Sequence, residues 1–456
     1  MRFRNFFPII AVLIVALICP GTGRAQITLN TVPTREIGQP QMPPASTPFA
    51  VANANPNLVE GREFFNPSGI ALDTSVTPPR IYVADTDNNR ILAWKNAVNF
   101  TNGKFADLVI GQHDFYSTGA NGPGTNFSTG FAAPTGLAVD QGDLYVADSG
   151  NNRVLRFRQP FGTPQDQLFP DLCIGQTSFN SKTANFPNGV LGASGISLNN
   201  GTVFTGAITF DAQHNLWLTD AGNNRVLRYA ASDVAKVNQF APAANLEIGQ
   251  YDFNTKQPAL PSNATGAQTL NLLATPAAIA FDATGRLYIA DSDGNAINRV
   301  LVYLPSFTSG MTATRVMGIQ PATVTGAPPR TDPQIFSIAM AGPAAVFFLP
   351  GTQGMGVVDS GYSRILIFDG YDQWPDAATA VSPSAKALFG HSTGISGISH
   401  TDNKSLIAND GNPQASALTL SNPQAAVFVN NELYVADWNN NRVVVLPWQT
   451  GNCGPA

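Results

Sequence analysis

Six times along the chain an aspartate and an arginine stand on either side of a short polar turn. The pairs are Asp85 and Arg90, Asp148 and Arg153, Asp220 and Arg225, Asp291 and Arg299, Asp359 and Arg364, and Asp437 and Arg442. A carboxylate and a guanidinium this close can form charge-assisted hydrogen bonds, hold an ion or orient a reacting group. Four of the six turns read Asp-x-x-Asn-Asn-Arg, and asparagine tolerates the left-handed backbone of tight turns. A reacting site is normally unique in a chain. A pair that recurs in every copy therefore reads as structural, the two charges bridging a hairpin or binding its amides.

Function is then expected where the copies differ. The fourth copy inserts three residues into its turn and carries Asp293 there. The fifth replaces the asparagine pair with Tyr362 and Ser363, the sixth places Trp438 beside its aspartate, and the third has Trp217 where tyrosine is usual. Exposed aromatic rings can stack on a ligand, so Trp438, Tyr362 and Asp293 mark the candidate ligand face.

Other reactive side chains are sparse. His113, His214, His391 and His400 do not fall in a metal-ligand spacing. Asp73, Asp140, Asp211 and Asp282 each end an apolar stretch and read as turn formers, with cation binding as the alternative. The fifth and sixth copies have Leu349 and Val429 there. No nucleophile elbow, phosphate loop or His-Glu-x-x-His motif occurs. No catalytic, cofactor-binding or metal-ligating residue is assigned, and no cofactor is expected.

The elements that must position these residues repeat with them. Before each turn runs a strand of the type Tyr-Val-Ala-Asp, and after it the arginine opens an alternating apolar strand. Further upstream lies a strand led by proline, as in Pro67-Ser-Gly-Ile-Ala-Leu-Asp73 and Pro134-Thr-Gly-Leu-Ala-Val-Asp140; the third copy lacks the proline. Between copies lies an Ile-Gly element, clear in Leu108–Gln112, Leu172–Gln176 and Leu246–Gln250. Four β-rich stretches per copy, in six copies, predict an all-β chain: a six-bladed β-propeller of four-stranded antiparallel blades. The sixth Ile-Gly element is read as Leu58-Val-Glu-Gly61, so that the N- and C-terminal strands pair and close the ring. On this reading, deleting 56–62 destroys the closure and deleting 27–50 does little.

The combination Pro-x-Gly-φ-Ala-φ-Asp followed by Tyr-Val-Ala-Asp-x-x-Asn-Asn-Arg resembles the NHL repeat, over residues 58–446. The resemblance implies a six-bladed propeller and no single function. Members act as RNA-binding modules, protein-interaction platforms, receptor-kinase sensor domains and a peptide-amidating lyase. That lyase uses histidine metal ligands near the central channel, whereas the strands that would line the channel here carry no histidine. Gluconolactonase-like propellers hold a metal through inner-strand carboxylates, which keeps a lyase- or lactonase-type enzyme with a site over the channel as the alternative reading.

Composition bounds the partners. The chain has 456 residues, with 25 basic against 30 acidic side chains. Residues 1–25 read as a secretory leader: Arg2 and Arg4, an apolar run from Phe6 to Ile18, then Gly23 and Ala25 at the cleavage positions. The leader carries three arginines and no acid, so its removal makes the chain more acidic. Nucleic acid is not expected as a partner, nor a membrane span after cleavage. Two cysteines remain, Cys173 and Cys453, too far apart in sequence for a disulfide framework. The expected division is a leader at 1–25, a disordered Pro/Asn-rich lead-in at 26–55, the propeller at 56–449 and a tail at 450–456. The expected protein is a secreted or periplasmic monomer. It is read as a non-enzymatic binding or interaction module for an extracytoplasmic protein, peptide or envelope glycan, or as a scaffold in an envelope assembly. Its long loops, rich in Gly, Asn, Ser and Thr, fall on the face of the Asp–Arg turns.

Overall fold

Each copy of the repeat folds as an antiparallel sheet whose strands lie side by side in chain order. In the computed structural model, residues 28–29, 32–39, 59–122, 129–199, 205–259, 270–294, 297–318, 338–349, 354–378, 382–391, 408–412 and 415–449 are described. The first blade comprises Pro67–Asp73, Arg80–Asp85, Arg90–Trp94 and Leu108–Ile110. The inner strands of the other five are Pro134–Asp140, Ile208–Phe210, Pro276–Phe281, Pro343–Phe348 and Pro423–Val429. The fold is thus all-β, six blades in a ring, as the repeat predicts.

Successive residues of a strand point to opposite faces, and here both faces are buried. Tyr82 and Ala84 pack with Leu137, Leu144 and Val146 between blades one and two. Ile81 and Val83, their neighbours on the same strand, pack with Tyr434, Val443 and Val445 between blades six and one. Comparable clusters fill the other four interfaces. The ring therefore has one core per pair of adjacent blades, and each blade depends on two neighbours.

The inner strands crowd the axis. In five of the six the register shifts just after the leading proline, a bulge that bends the strand toward the centre. Gly69 shows how close the approach is: a Cβ there would stand 1.9 Å from the carbonyl oxygen of Thr135 in the next blade.

Closure joins the two chain ends, but not through Leu58–Gly61. Leu58 lies outside the described residues, and 59–62 form a turn. The fourth strand of blade six is Arg35–Ile37, antiparallel to the third strand Arg442–Gln449, with Arg35 opposite Val445 and Ile37 opposite Val443. Thr28–Leu29 pairs further along the same strand. Part of the stretch read as a disordered lead-in is therefore β-structure, and the prediction for the two deletions reverses. The reason lies in residues 36–39, Glu-Ile-Gly-Gln, which repeat the Ile-Gly-Gln of 110–112, 174–176 and 248–250. Leu58-Val-Glu-Gly is followed by Arg62 instead of glutamine.

Candidate functional site

The Asp–Arg turns all lie at one end of the ring: in five blades the motif aspartate stands opposite the proline that opens the inner strand, as Asp85 does with Pro67 and Asp437 with Pro423, and in the third Asp220 ends the strand that runs antiparallel to Ile208–Phe210. Every one of the twelve side chains is buried. The guanidinium Nε or Nη2 reaches the carboxylate at 2.6 to 2.9 Å in all six blades. The second carboxylate oxygen accepts a backbone N–H just upstream of the inner strand: Phe65 at 2.6 Å, Ala132 at 2.7 Å, Ser421 at 2.7 Å. The remaining guanidinium N–H groups donate to carbonyls of the connecting segments. Arg90 reaches Phe115 at 2.6 Å, Arg225 reaches Phe253 at 2.9 Å, and Arg153 reaches Phe179. Each pair thus fastens the segments that enter and leave its blade.

The asparagines complete the fastening. The residue before the arginine is left-handed in five blades, with φ near 50° at Asn89, Asn152, Asn224, Ser363 and Asn441. Its side chain reaches the next blade just before that blade's inner strand. Asn89 accepts from Ala133 N at 2.8 Å, Asn152 from Leu198 N at 3.0 Å and Asn298 from Gly342 N at 2.8 Å. Ser363 accepts from Asn422 N at 3.1 Å, and Asn224 donates to Ala274 O. Asn441 accepts from Asn66 N at 2.9 Å, linking blade six to blade one. One side chain per blade therefore carries the ring around.

A third clamp lies in the Gly-Gln-x-Asp-Phe stretches, such as Gly111–Phe115, that lead into the long loops. The glutamine after each Ile-Gly donates to the turn carbonyl of its blade: Gln112 to Asn89, Gln176 to Asn152, Gln250 to Asn224 and Gln39 to Asn441, at 2.9 to 3.0 Å. Its amide also holds the following loop, at Gly119, Thr183 and Gln257. In blade five His391 stands in this position, between Tyr362 O at 3.2 Å and Asp410 at 2.8 Å.

Two arginines have a second buried acid. Glu36 lies 3.3 Å from Arg442, and Glu247 lies 3.6 Å from Arg225, all four side chains at most 1% exposed. Burial pushes each glutamate up to about 7 from an ordinary value of 4.5, against the pull of the arginine. Below about pH 4.5 these acids are protonated in folded and unfolded chain alike. Between 4.5 and 7 only the unfolded chain releases the protons, so stability falls as pH rises and the loss is complete above 7. Glu36→Gln and Glu247→Gln should each remove on the order of 2–3 kcal/mol of that fall. Urea unfolding at pH 5 and pH 8 reads it directly, and a double variant with the parent's pH dependence would refute the assignment.

The candidate ligand residues lie in the turns of three consecutive blades on this face. Asp293, half-buried, caps its own turn by accepting from Ile297 N at 2.9 Å. Tyr362 is half-buried with Arg364 over its ring at 4.9 Å, and Trp438 is half-buried in its turn. Trp217 is not available to stack on a ligand. It is fully buried, donates to Asp211 and meets the rings of Phe281 and Phe307. More exposed than these are Tyr116 and Tyr251, 72% and 55%, beside the clamped Phe115 and Gln250. Much of the long loops lies outside the described residues.

At the opposite end of the ring, the aspartates that end inner strands form turns. Asp73 accepts from Ser75 N, Asp211 from Gln213 N and Asn215 N, and Asp282 from Thr284 N and Arg286 N, all at 2.9 to 3.0 Å. Asp140 pairs instead with His214 of the neighbouring blade at 2.7 Å. Among the described residues no three His, Cys, Asp or Glu side chains stand together as a metal cluster, and no helix is long and apolar enough to cross a membrane.

Six four-stranded blades fastened by a repeated Asp–Arg–Asn clamp define a six-bladed β-propeller closed by its N-terminal strand. Within that class the chain carries NHL repeat matches: the NHL repeat model matches residues 131–157 and 420–446, in blades two and six. No curated protein matches the chain. Similar solved structures include a streptogramin B lyase, 14% identical, covering 87% of this chain and 96% of that one, with a TM-score of 0.41. Another is virginiamycin B lyase from Staphylococcus aureus with quinupristin, 13% identical, covering 88% and 98%, with a TM-score of 0.41. A third is an auxiliary nutrient binding protein from Bacteroides thetaiotaomicron, 12% identical, covering 93% and 77%, with a TM-score of 0.46.

Proposed function

We propose that this propeller is an extracytoplasmic, non-enzymatic binding module that presents its connecting segments on the Asp–Arg face to a protein, peptide or envelope glycan. One observation carries the reading: arginine, asparagine and glutamine side chains, repeated from blade to blade, fasten long connecting segments onto a single end of the ring. Loops held on a rigid scaffold are where binding residues concentrate, and pinning their bases lowers the entropy lost on binding. Exposed Tyr116 and Tyr251 and half-buried Trp438 supply aromatic contact area there.

The test uses the purified chain beginning at Gln26, screened on peptide and envelope-glycan arrays. For a ligand so found, substituting Tyr116, Tyr251 and Trp438 together by alanine should weaken binding more than tenfold with the melting temperature nearly unchanged. Gln213→Arg, exposed on the opposite face, should leave binding intact. Loss with Gln213→Arg but not with the triple variant would put the site on the wrong face. Stoichiometric zinc or calcium surviving dialysis would favour the lyase- or lactonase-type reading instead. Export is checked by the N-terminal sequence of the protein from periplasm or medium, expected to start at Gln26.

A further inference from the structure

On the axis of the ring the six inner strands enclose a cavity of about 500 Å3, within the range of small-molecule sites. Its two ends differ. Toward the Asp–Arg face the wall includes Ser68, Thr135 and Gln424; toward the opposite face it includes Leu72, Val139 and Phe428. The polar groups of the upper collar are already paired within the protein. Ser68 Oγ lies 2.5 Å from Thr86 Oγ1, and Thr135 Oγ1 lies 2.6 Å from Ser149 Oγ. Gln424 Nε2 donates to Ser360 Oγ at 2.9 Å and to Asn422. Among the described residues the wall contains no ionisable side chain.

Such a wall discriminates by charge. An ion moved into it gives up hydration and meets no opposite charge, a heavy penalty in a low-dielectric space. An apolar molecule gives up only unfavourable contact with water. We propose that the axial cavity is a binding site for one small, uncharged, predominantly apolar molecule, with any hydroxyl or amide group it carries at the Ser68–Thr135–Gln424 collar. The site is separate from the face that presents the loops.

Two fluorescent probes differing by one charge test this. N-phenyl-1-naphthylamine is uncharged, and 8-anilinonaphthalene-1-sulfonate carries a sulfonate on a closely similar frame. With the purified chain from Gln26, the uncharged probe should saturate at one per molecule and bind at least tenfold more tightly than the sulfonate. 1-Octanol should displace it at concentrations where octanoate does not. Ala344 and Ala277 line the wall and are half-exposed; Ala344→Phe or Ala277→Phe should lower its affinity more than tenfold. The Tyr116, Tyr251 and Trp438 triple variant should bind it unchanged, which separates this site from the loop face. Equal affinity for the two probes, absence of saturable binding, or full-affinity binding by either folded phenylalanine variant would overturn the proposal.

Discussion

Removing residues 26–39 from the mature chain should unfold the propeller instead of trimming a tail. Arg35–Ile37 covers the edge of Val443–Val445, and Ile37 is fully buried in the core between blades six and one. Arg35 holds Glu432 with two bonds of 2.8 Å, and Gln39 donates to Asn441 O. Gly38, at φ 96°, lets Phe64 lie against its backbone, where a Cβ would stand 2.1 Å from the ring. Loss of the buried isoleucine alone costs about 2–5 kcal/mol. Adding the stranded Glu432 and the bare strand edge brings the total to at least about 5 kcal/mol, beyond the range of ordinary point changes. Thermal melting followed by circular dichroism should show aggregation or a collapse of the transition, and a synthetic 26–39 peptide should partly restore it. Arg35→Ala alone should cost about 1–3 kcal/mol. A deletion variant that melts like its parent would mean the ring closes without this strand.

Asp148→Asn should be the more damaging of two chemically identical substitutions, the other being Asp437→Asn. Asp148 accepts from Ala132 N, from Asn151 Nδ2 at 2.8 Å and from Arg153 Nε at 2.7 Å, all out of water. The amide keeps the shape but removes the charge that the buried Arg153 guanidinium meets in Asp148. Removing one partner of a buried pair costs about 3–5 kcal/mol. In blade six Arg442 retains Glu36 at 3.3 Å. The cost of Asp437→Asn should be about half as large, and Glu36, relieved of the neighbouring carboxylate that helps raise it, should ionise more readily. Asp220→Asn should follow the same pattern through Glu247. Urea unfolding of the three variants at pH 8 measures the difference; equal costs would show that the second acid does not compensate.

Legibility followed the number of copies of each signal. The Asp–Arg turn is repeated six times and bounded by alternating apolar strands, so strand order and blade count could be read from spacing. The same repetition argued for a structural role; the pairs are buried and bonded to the connecting segments around them. Tyrosine-to-tryptophan variation was a poorer guide. Trp217 stands where the other copies usually have tyrosine, and there it is packed against the rings of Phe281 and Phe307, a packing variation and not a ligand contact. Exposure depends on what faces a residue from other elements, and a single position carries no record of that.

What this sequence determined by itself is the blade: period-two alternation selects strands, and the short polar turn with left-handed asparagine selects the hairpin. Six such units define the ring and its all-β class. How the ring is joined, and what its charges face, follow from contacts between distant parts of the chain. The closing strand is three residues long, too short for periodicity to separate it from Leu58–Gly61. Its partner lies some four hundred positions away, and the choice is made by Gly38 accepting the Phe64 ring and by Gln39 reaching Asn441. Likewise, Glu36 and Glu247 read as ordinary acids until the fold places each beside an arginine already matched by an aspartate. Long-range packing and desolvation set those outcomes, and both depend on distances that exist only once the chain has closed on itself.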